Sequence, residues 1–133
     1  VMQLDEELSL TFAVRSSVNR EKRELLDKLK ELADFYGAAY RESGDYPAWE
    51  YKKESRLRDT MVDVYKQMFG GDAQVIAIHA GLECGLFTEK FPGLDMVSFG
   101  PTLRGVHAPG ERLDLASLDK FTALLLDVIT NYR

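Results

Sequence analysis

Two histidines and one cysteine make up the chain's whole stock of imidazole and thiol, and their positions limit the chemistry it can hold. His107 stands in Val106-His107-Ala108-Pro109-Gly110-Glu111-Arg112, just before a Pro-Gly turn and shortly after the apolar run Val97-Ser98-Phe99-Gly100-Pro101. That order predicts an imidazole on a loop at the end of a buried strand, where open α/β sheets keep their chemistry. Imidazole is also the commonest side-chain metal ligand. One imidazole does not complete a metal site. His107 therefore reads either as one donor of a site whose other parts lie outside these residues or as a hydrogen-bonded loop histidine.

Two further places stand at element ends. In His79-Ala80-Gly81-Leu82-Glu83-Cys84-Gly85, the backbone amides of Gly81 and its neighbours open a helix and could hold an anion or a carbonyl oxygen. Glu83 in the first helical turn is favoured by the helix dipole whatever its function. Cys84 has no basic neighbour besides His79, so a thiol nucleophile is not expected. Arg15, followed by Ser16-Ser17, reads either as a solvated arginine in a strand-to-helix turn or as a fork for a carboxylate, including the C-terminus of a peptide. No His-x-Asp or His-Glu-x-x-His spacing occurs, and Gly70-Gly71 lacks the context of a phosphate loop.

The elements that would position these residues follow from periodicity. Leu8 to Val14 alternates and then becomes continuously apolar, predicting a strand. Asn19 is the expected cap of a helix carrying Leu25, Leu26, Leu29, Leu32, Ala33 and Tyr36 on one face, stopped by Gly37. Ala38 to Tyr51, with Gly44, Asp45 and Pro47 among aromatic residues, predicts an irregular or bulged strand. Together these pieces make half of a small α+β sandwich. A charged hinge, Lys52-Lys53-Glu54, then separates them from a second part.

In that part Ser55 caps a helix with Leu57, Met61, Val62, Tyr65, Met68 and Phe69 in a stripe, ended by Gly70-Gly71. Ala73 to Ile78 is β-branched without a polar face, as in a strand covered on both sides. A helix from about Leu82 to Phe91 closes at Pro92-Gly93, and Leu94 to Phe99 predicts another buried strand. Ser117 is the expected start of a last helix burying Leu118, Phe121, Leu124, Leu125, Val128 and Ile129. Helix–strand–helix–strand–helix implies parallel strands joined by right-handed crossovers. The expected class is α/β, with residues 1–51 and 52–133 as its two parts.

Composition narrows the function classes. With 133 residues, 45% of them hydrophobic, the chain can bury an ordinary core as one domain or two small pieces. A net charge of −5 with interspersed signs leaves no footprint for nucleic acid or for an anionic membrane. No apolar run approaches the roughly 20 residues that span a bilayer. The lone Cys84 rules out an internal disulfide and fits a reducing, cytoplasmic setting. The start, Val1-Met2-Gln3, carries no basic leader and apolar stretch, so a signal peptide is not expected; it reads either as the cut end of a longer chain or as an engineered boundary.

Ile78-His79-Ala80-Gly81-Leu82-Glu83-Cys84-Gly85, Pro92-Gly93-Leu94-Asp95-Met96-Val97-Ser98-Phe99-Gly100-Pro101 and Val106-His107-Ala108-Pro109-Gly110-Glu111-Arg112-Leu113, in this order, resemble the C-terminal part of the aminoacyl-histidine (Xaa-His) dipeptidases. These are also called cytosolic non-specific dipeptidases and belong with the two-zinc exopeptidases that include peptidase T and carboxypeptidase G. Val14-Arg15-Ser16-Ser17 extends the likeness more weakly. The resemblance implies a zinc-binding catalytic domain interrupted by a smaller lid. Residues 1–51 would be the second half of the lid, of the kind used for dimerisation, and residues 52–133 the end of the catalytic domain. By that likeness His107 matches a metal ligand, Arg15 the lid arginine that holds the substrate carboxylate, and Gly81 a backbone contact to the substrate.

The family's His-x-Asp segment, bridging aspartate and Glu-Glu pair with the general base have no counterpart here. The resemblance thus implies a fragment, inactive alone, of a cytoplasmic and homodimeric enzyme. Its two zinc ions would activate a water against a dipeptide, and no catalytic residue is expected on this chain. The alternative is a non-catalytic binding or dimerisation module derived from the same fold. The sequence upstream in the gene discriminates between the two.

Overall fold

A computed structural model of the chain describes residues 2–4, 8–78 and 83–132. Four helices and two short antiparallel ribbons form among them: β1 (Met2–Leu4), β2 (Leu8–Leu10), α1 (Asn19–Phe35), α2 (Arg56–Phe69), α3 (Glu83–Lys90), β3 (Leu103–Arg104), β4 (Arg112–Leu113) and α4 (Leu115–Asn131). The chain divides into two compact units. One contains residues 1–51 and 77–92, the other residues 52–76 and 93–133.

In the first unit β1 and β2 pair antiparallel, with Met2 opposite Leu10. Of the run from Leu8 to Val14 expected as a strand, Leu8–Leu10 forms β2. α1 ends as its sequence dictates: Gly37 takes a left-handed φ of 65°, and its N–H and that of Ala38 donate to the carbonyls of Asp34 and Ala33, the two bonds of a glycine C-terminal cap. Its start differs from expectation. Val18 occupies the cap position, and the Asn19 amide oxygen accepts from Ala48 N–H at 2.9 Å.

Residues 38–51 form no strand. Side chains of α1 take the place of a ladder. The Lys22 ammonium, almost buried, donates to Asp45 Oδ1 and to the Tyr46 carbonyl, both at 2.6 Å. The Tyr40 hydroxyl reaches the Leu26 carbonyl, and Arg23 pairs with Glu42. The Lys22 hydrogen bond, with its positive charge, holds the Asp45 carboxyl below the usual range despite some burial. Pro47 has no N–H for a ladder, which is the local reason for the irregular path.

Gly85 of α3 is buried against the backbone of residues 47–48. A Cβ there would collide with the Pro47 carbonyl oxygen, which is backbone and has little room to yield. Gly85→Ala would gain about 1 kcal/mol of helix propensity, against about 1–3 kcal/mol for overpacking. With a backbone oxygen as the obstacle the upper part of that cost applies, so a net loss of up to about 2 kcal/mol is expected. Chemical denaturation of the full-length variant measures it; unchanged stability would mean that residues 47–48 move aside freely.

The second unit is built on α2 against α4. Met61, Val64, Leu124 and Val128 are its buried core, with Leu57, Tyr65 and Val97 packed on them. Ser55 caps α2 as expected, its Oγ accepting from Arg58 N–H, and Gly70 closes it in the left-handed region. Ser55 in turn donates to Asp95 Oδ1 at 2.6 Å, and Leu57 N–H donates to Asp95 Oδ2. Burial pushes the Asp95 carboxyl up, but these two donors, with Lys52 and Arg58 nearby, outweigh it and hold the group below the usual range. Phe99 meets Phe121 of α4 with ring centroids 5.1 Å apart. Residues 95–99 are thereby fastened to both helices.

The parallel strands and crossovers expected for 73–78 and 94–99 are absent among the described residues, whose only ladders are the two antiparallel ribbons. Ile76 is 75% exposed and Leu94 49%, the opposite of the doubly covered strands expected. The physical reason is that β propensity supplies side chains suited to a sheet but no neighbouring backbone. Without a ladder partner, an extended run is not a strand. α4 begins at Leu115 rather than at Ser117, because Asp114 caps it by accepting from Ala116 and Ser117 N–H. Its outer face leaves Leu126 and Ile129 exposed, Ile129 against expectation. Among the described residues no helix is long and apolar enough to cross a membrane.

Candidate functional site

β3 and β4 are the two arms of a hairpin in the second unit, pairing Leu103 with Leu113 and Arg104 with Arg112. His107 lies on its connecting loop, exposed, with a left-handed φ of 62°. No other described non-glycine residue has a positive φ. The loop turns on Gly105 and Gly110, whose φ values of 63° and 92° are costly for any residue with a Cβ. Two turn hydrogen bonds, Ala108 N–H to Gly105 O and Glu111 N–H to Ala108 O, close it. His107 N–H donates to Glu111 Oε2 at 3.0 Å.

The hairpin is tied to the start of α4. Asp114 N–H donates to the Thr102 carbonyl, and Thr102 N–H donates to Ser117 Oγ at 2.8 Å. The Ser117 hydroxyl gives its own proton to the Asp114 carbonyl. The imidazole is thus presented on a short, anchored loop, although the buried strand expected beneath it is not a strand here.

In the first unit Arg15 lies on the coil between β2 and α1, exposed. Among the described residues no carboxylate pairs with its guanidinium. The turn behind it is fixed: Ser16 Oγ accepts from Val18 N–H and donates to Glu21 Oε2, both at 3.1 Å. The Arg15 side chain is thus exposed beside a turn of defined backbone.

Gly81 and His79 lie outside the described residues. Glu83 opens α3 at its first turn. Burial pushes the half-buried Cys84 thiol up, and the Glu83 charge adds to this.

A zinc site needs about three protein ligands and an open position for catalysis. Among the described residues no group of three His, Cys, Asp or Glu side chains could hold a metal. What His107 offers is one exposed nitrogen on a constrained loop. That fits one position in a zinc sphere completed by other groups, and it does not fit a self-sufficient site. The residue missed from sequence is Glu111, whose carboxylate reaches back to the His107 backbone. Its signal is the His-x-x-x-Glu spacing across a Pro-Gly turn.

A family profile, Peptidase family M20/M25/M40, matches residues 8–131. The chain belongs to this family. Within the M20/M25/M40 peptidases it is 32% identical over 129 residues to the cytosol non-specific dipeptidase of Escherichia coli (strain K12), covering 97% of this chain and 27% of that protein. It also superimposes on the crystal structure of aminoacylhistidine dipeptidase from Vibrio alginolyticus. That match has a TM-score of 0.75 and 33% identity, and it covers 86% of this chain and 24% of the other. The chain thus spans about a quarter of the length of these M20 relatives, and the resemblance to the Xaa-His dipeptidases holds at that level.

Proposed function

We propose that the chain is part of a zinc-dependent dipeptidase, to which it contributes one metal ligand, His107, and a substrate clamp, Arg15. The observation that carries this is the His107 hairpin: an exposed imidazole held at a left-handed φ of 62° inside a chain of M20 family membership. Non-glycine residues in that region cluster at functional sites, where the surrounding structure over-determines them.

In this reading a ring nitrogen of His107 would serve as one ligand of a zinc site whose other ligands, with the general base, would come from the rest of the protein. Zinc supplies polarisation of the scissile carbonyl and a water made acidic enough to attack at neutral pH. The Arg15 fork takes the C-terminal carboxylate of the dipeptide, and a Gly81 backbone group lies beside the substrate. Residues 1–51 are the second half of a lid that also pairs two subunits, and residues 52–133 close the catalytic domain. In the complete sheet, 73–78 and 94–99 find strand partners, which accounts for the apolar side chains they expose here. Two relatives bear dipeptidase names, one of them cytosolic. They support a cytoplasmic enzyme acting on Xaa-His and related dipeptides.

The test is direct. The full-length protein should hydrolyse Xaa-His dipeptides, lose activity to a chelator and regain it with zinc, while the 133-residue chain alone shows none. Metal-dependent hydrolysis by the short chain would overturn the partial-site reading. A metal-free, inactive full-length protein would favour a non-catalytic module.

A further inference from the structure

We infer that Glu111 is a positioning residue for His107, acting through the backbone of the hairpin rather than on the metal. The inference rests on the reading of His107 as a zinc ligand, and it adds how that ligand is kept in place.

A residue with a Cβ resists the left-handed region by roughly 1–2 kcal/mol, so something must hold His107 there. Gly105 and Gly110 allow the loop to turn, and the two turn hydrogen bonds join Gly105 to Ala108 and Ala108 to Glu111. The first of these closes a four-residue turn with His107 at its third position and so acts on His107 from its carbonyl side; on its amide side no backbone acceptor is present among the described residues. The one described hydrogen bond of His107 is from its N–H to Glu111 Oε2, at 3.0 Å. A carboxylate accepting a backbone N–H makes a charge-assisted bond, roughly twice as strong as a neutral one. Glu111 is well placed to accept it, because it stands at the foot of the same loop, next to β4.

The direction of the imidazole follows from the backbone torsion at residue 107. Release that torsion, and the side chain leaves from a different vector. A ligand must hold its productive geometry to within about half an ångström, so a relaxed loop would weaken the metal without removing any donor.

The experiment compares Glu111→Ala, Glu111→Gln and His107→Gln in the full-length protein. Zinc affinity is measured by competition with a chelator, and hydrogen exchange is followed at the residue 107 amide. Glu111→Ala should weaken zinc binding by about 10- to 100-fold, the range found when partners of metal ligands are lost, and should speed exchange at residue 107. Glu111→Gln keeps an oxygen that accepts the N–H, without the charge, and should restore part of both. In a His107→Gln background, Glu111→Ala should change exchange but not zinc affinity.

Equal zinc loss in Glu111→Gln and Glu111→Ala would overturn the inference in favour of direct coordination by Glu111. Wild-type zinc affinity in Glu111→Ala, with zinc lost in His107→Gln, would overturn the positioning role and leave the ligand reading intact. Wild-type zinc affinity in His107→Gln would overturn the ligand reading, and this inference with it.

Discussion

Full-length protein carrying His107→Gln is expected to lose zinc and peptidase activity together while melting at nearly the temperature of the metal-free wild-type protein. Glutamine matches the imidazole roughly in size but offers an amide in place of a nitrogen lone pair suited to zinc. Loss of a partner that merely orients a metal ligand costs about 10- to 100-fold in affinity or activity; loss of the ligand itself should exceed that range. Stability should change by no more than about 0.5 kcal/mol, as for other surface sites, because the residue is exposed and its N–H bond to Glu111 uses backbone that glutamine also has. Metal analysis beside thermal melting decides the matter. Full zinc occupancy, or a collapse in stability that excess zinc does not rescue, would return His107 to the ranks of structural histidines.

Arg15→Ala in the full-length protein should act on the substrate and leave the metal alone. Arg15 lies exposed behind a turn that Ser16 holds through Val18 and Glu21, so alanine removes the fork without loosening its base. Charge-assisted bonding and positioning together make the expected loss about 2–4 kcal/mol of transition-state stabilisation, or about 30- to 900-fold in kcat/KM. Zinc content should be unchanged. The same variant assayed on a substrate whose terminal carboxylate is amidated should show little further loss, since the charge that Arg15 would meet is already gone. Wild-type kinetics on the free dipeptide would make Arg15 a solvated turn residue.

The two arguments draw on different parts of the chain. His107 belongs to the second unit, whose core is α2 on α4, and Arg15 to the first. Their expected signatures differ accordingly: zinc loss for one, a substrate-binding defect with full zinc for the other. A variant that moved both readouts together would argue against a division of labour between ligand and clamp.

Helices α1, α2 and α4 were legible from sequence because their determinants are local. Apolar residues recur at helical spacing, and Gly37 and Gly70 stop α1 and α2 in the left-handed region, each without help from distant residues. The two units divide after Tyr51, after Ile76 and after Pro92, and only the first of these breaks carries a run of charges. The motif around His107 could be read as a resemblance because residue identities alone carry it. Tertiary structure decided whatever depends on a partner. Residues 73–78 and 94–99 have the side chains of strands, but a ladder is made by a second backbone, and no composition supplies one. Asn19 and Ser117 both had the chemistry of caps; Asn19 instead holds Ala48, and Ser117 holds Thr102 while Asp114 does the capping. The strained φ of His107 and the reach of Glu111 back to its amide are likewise products of the closed hairpin, because a torsion is fixed by the contacts around it and not by the residue that bears it.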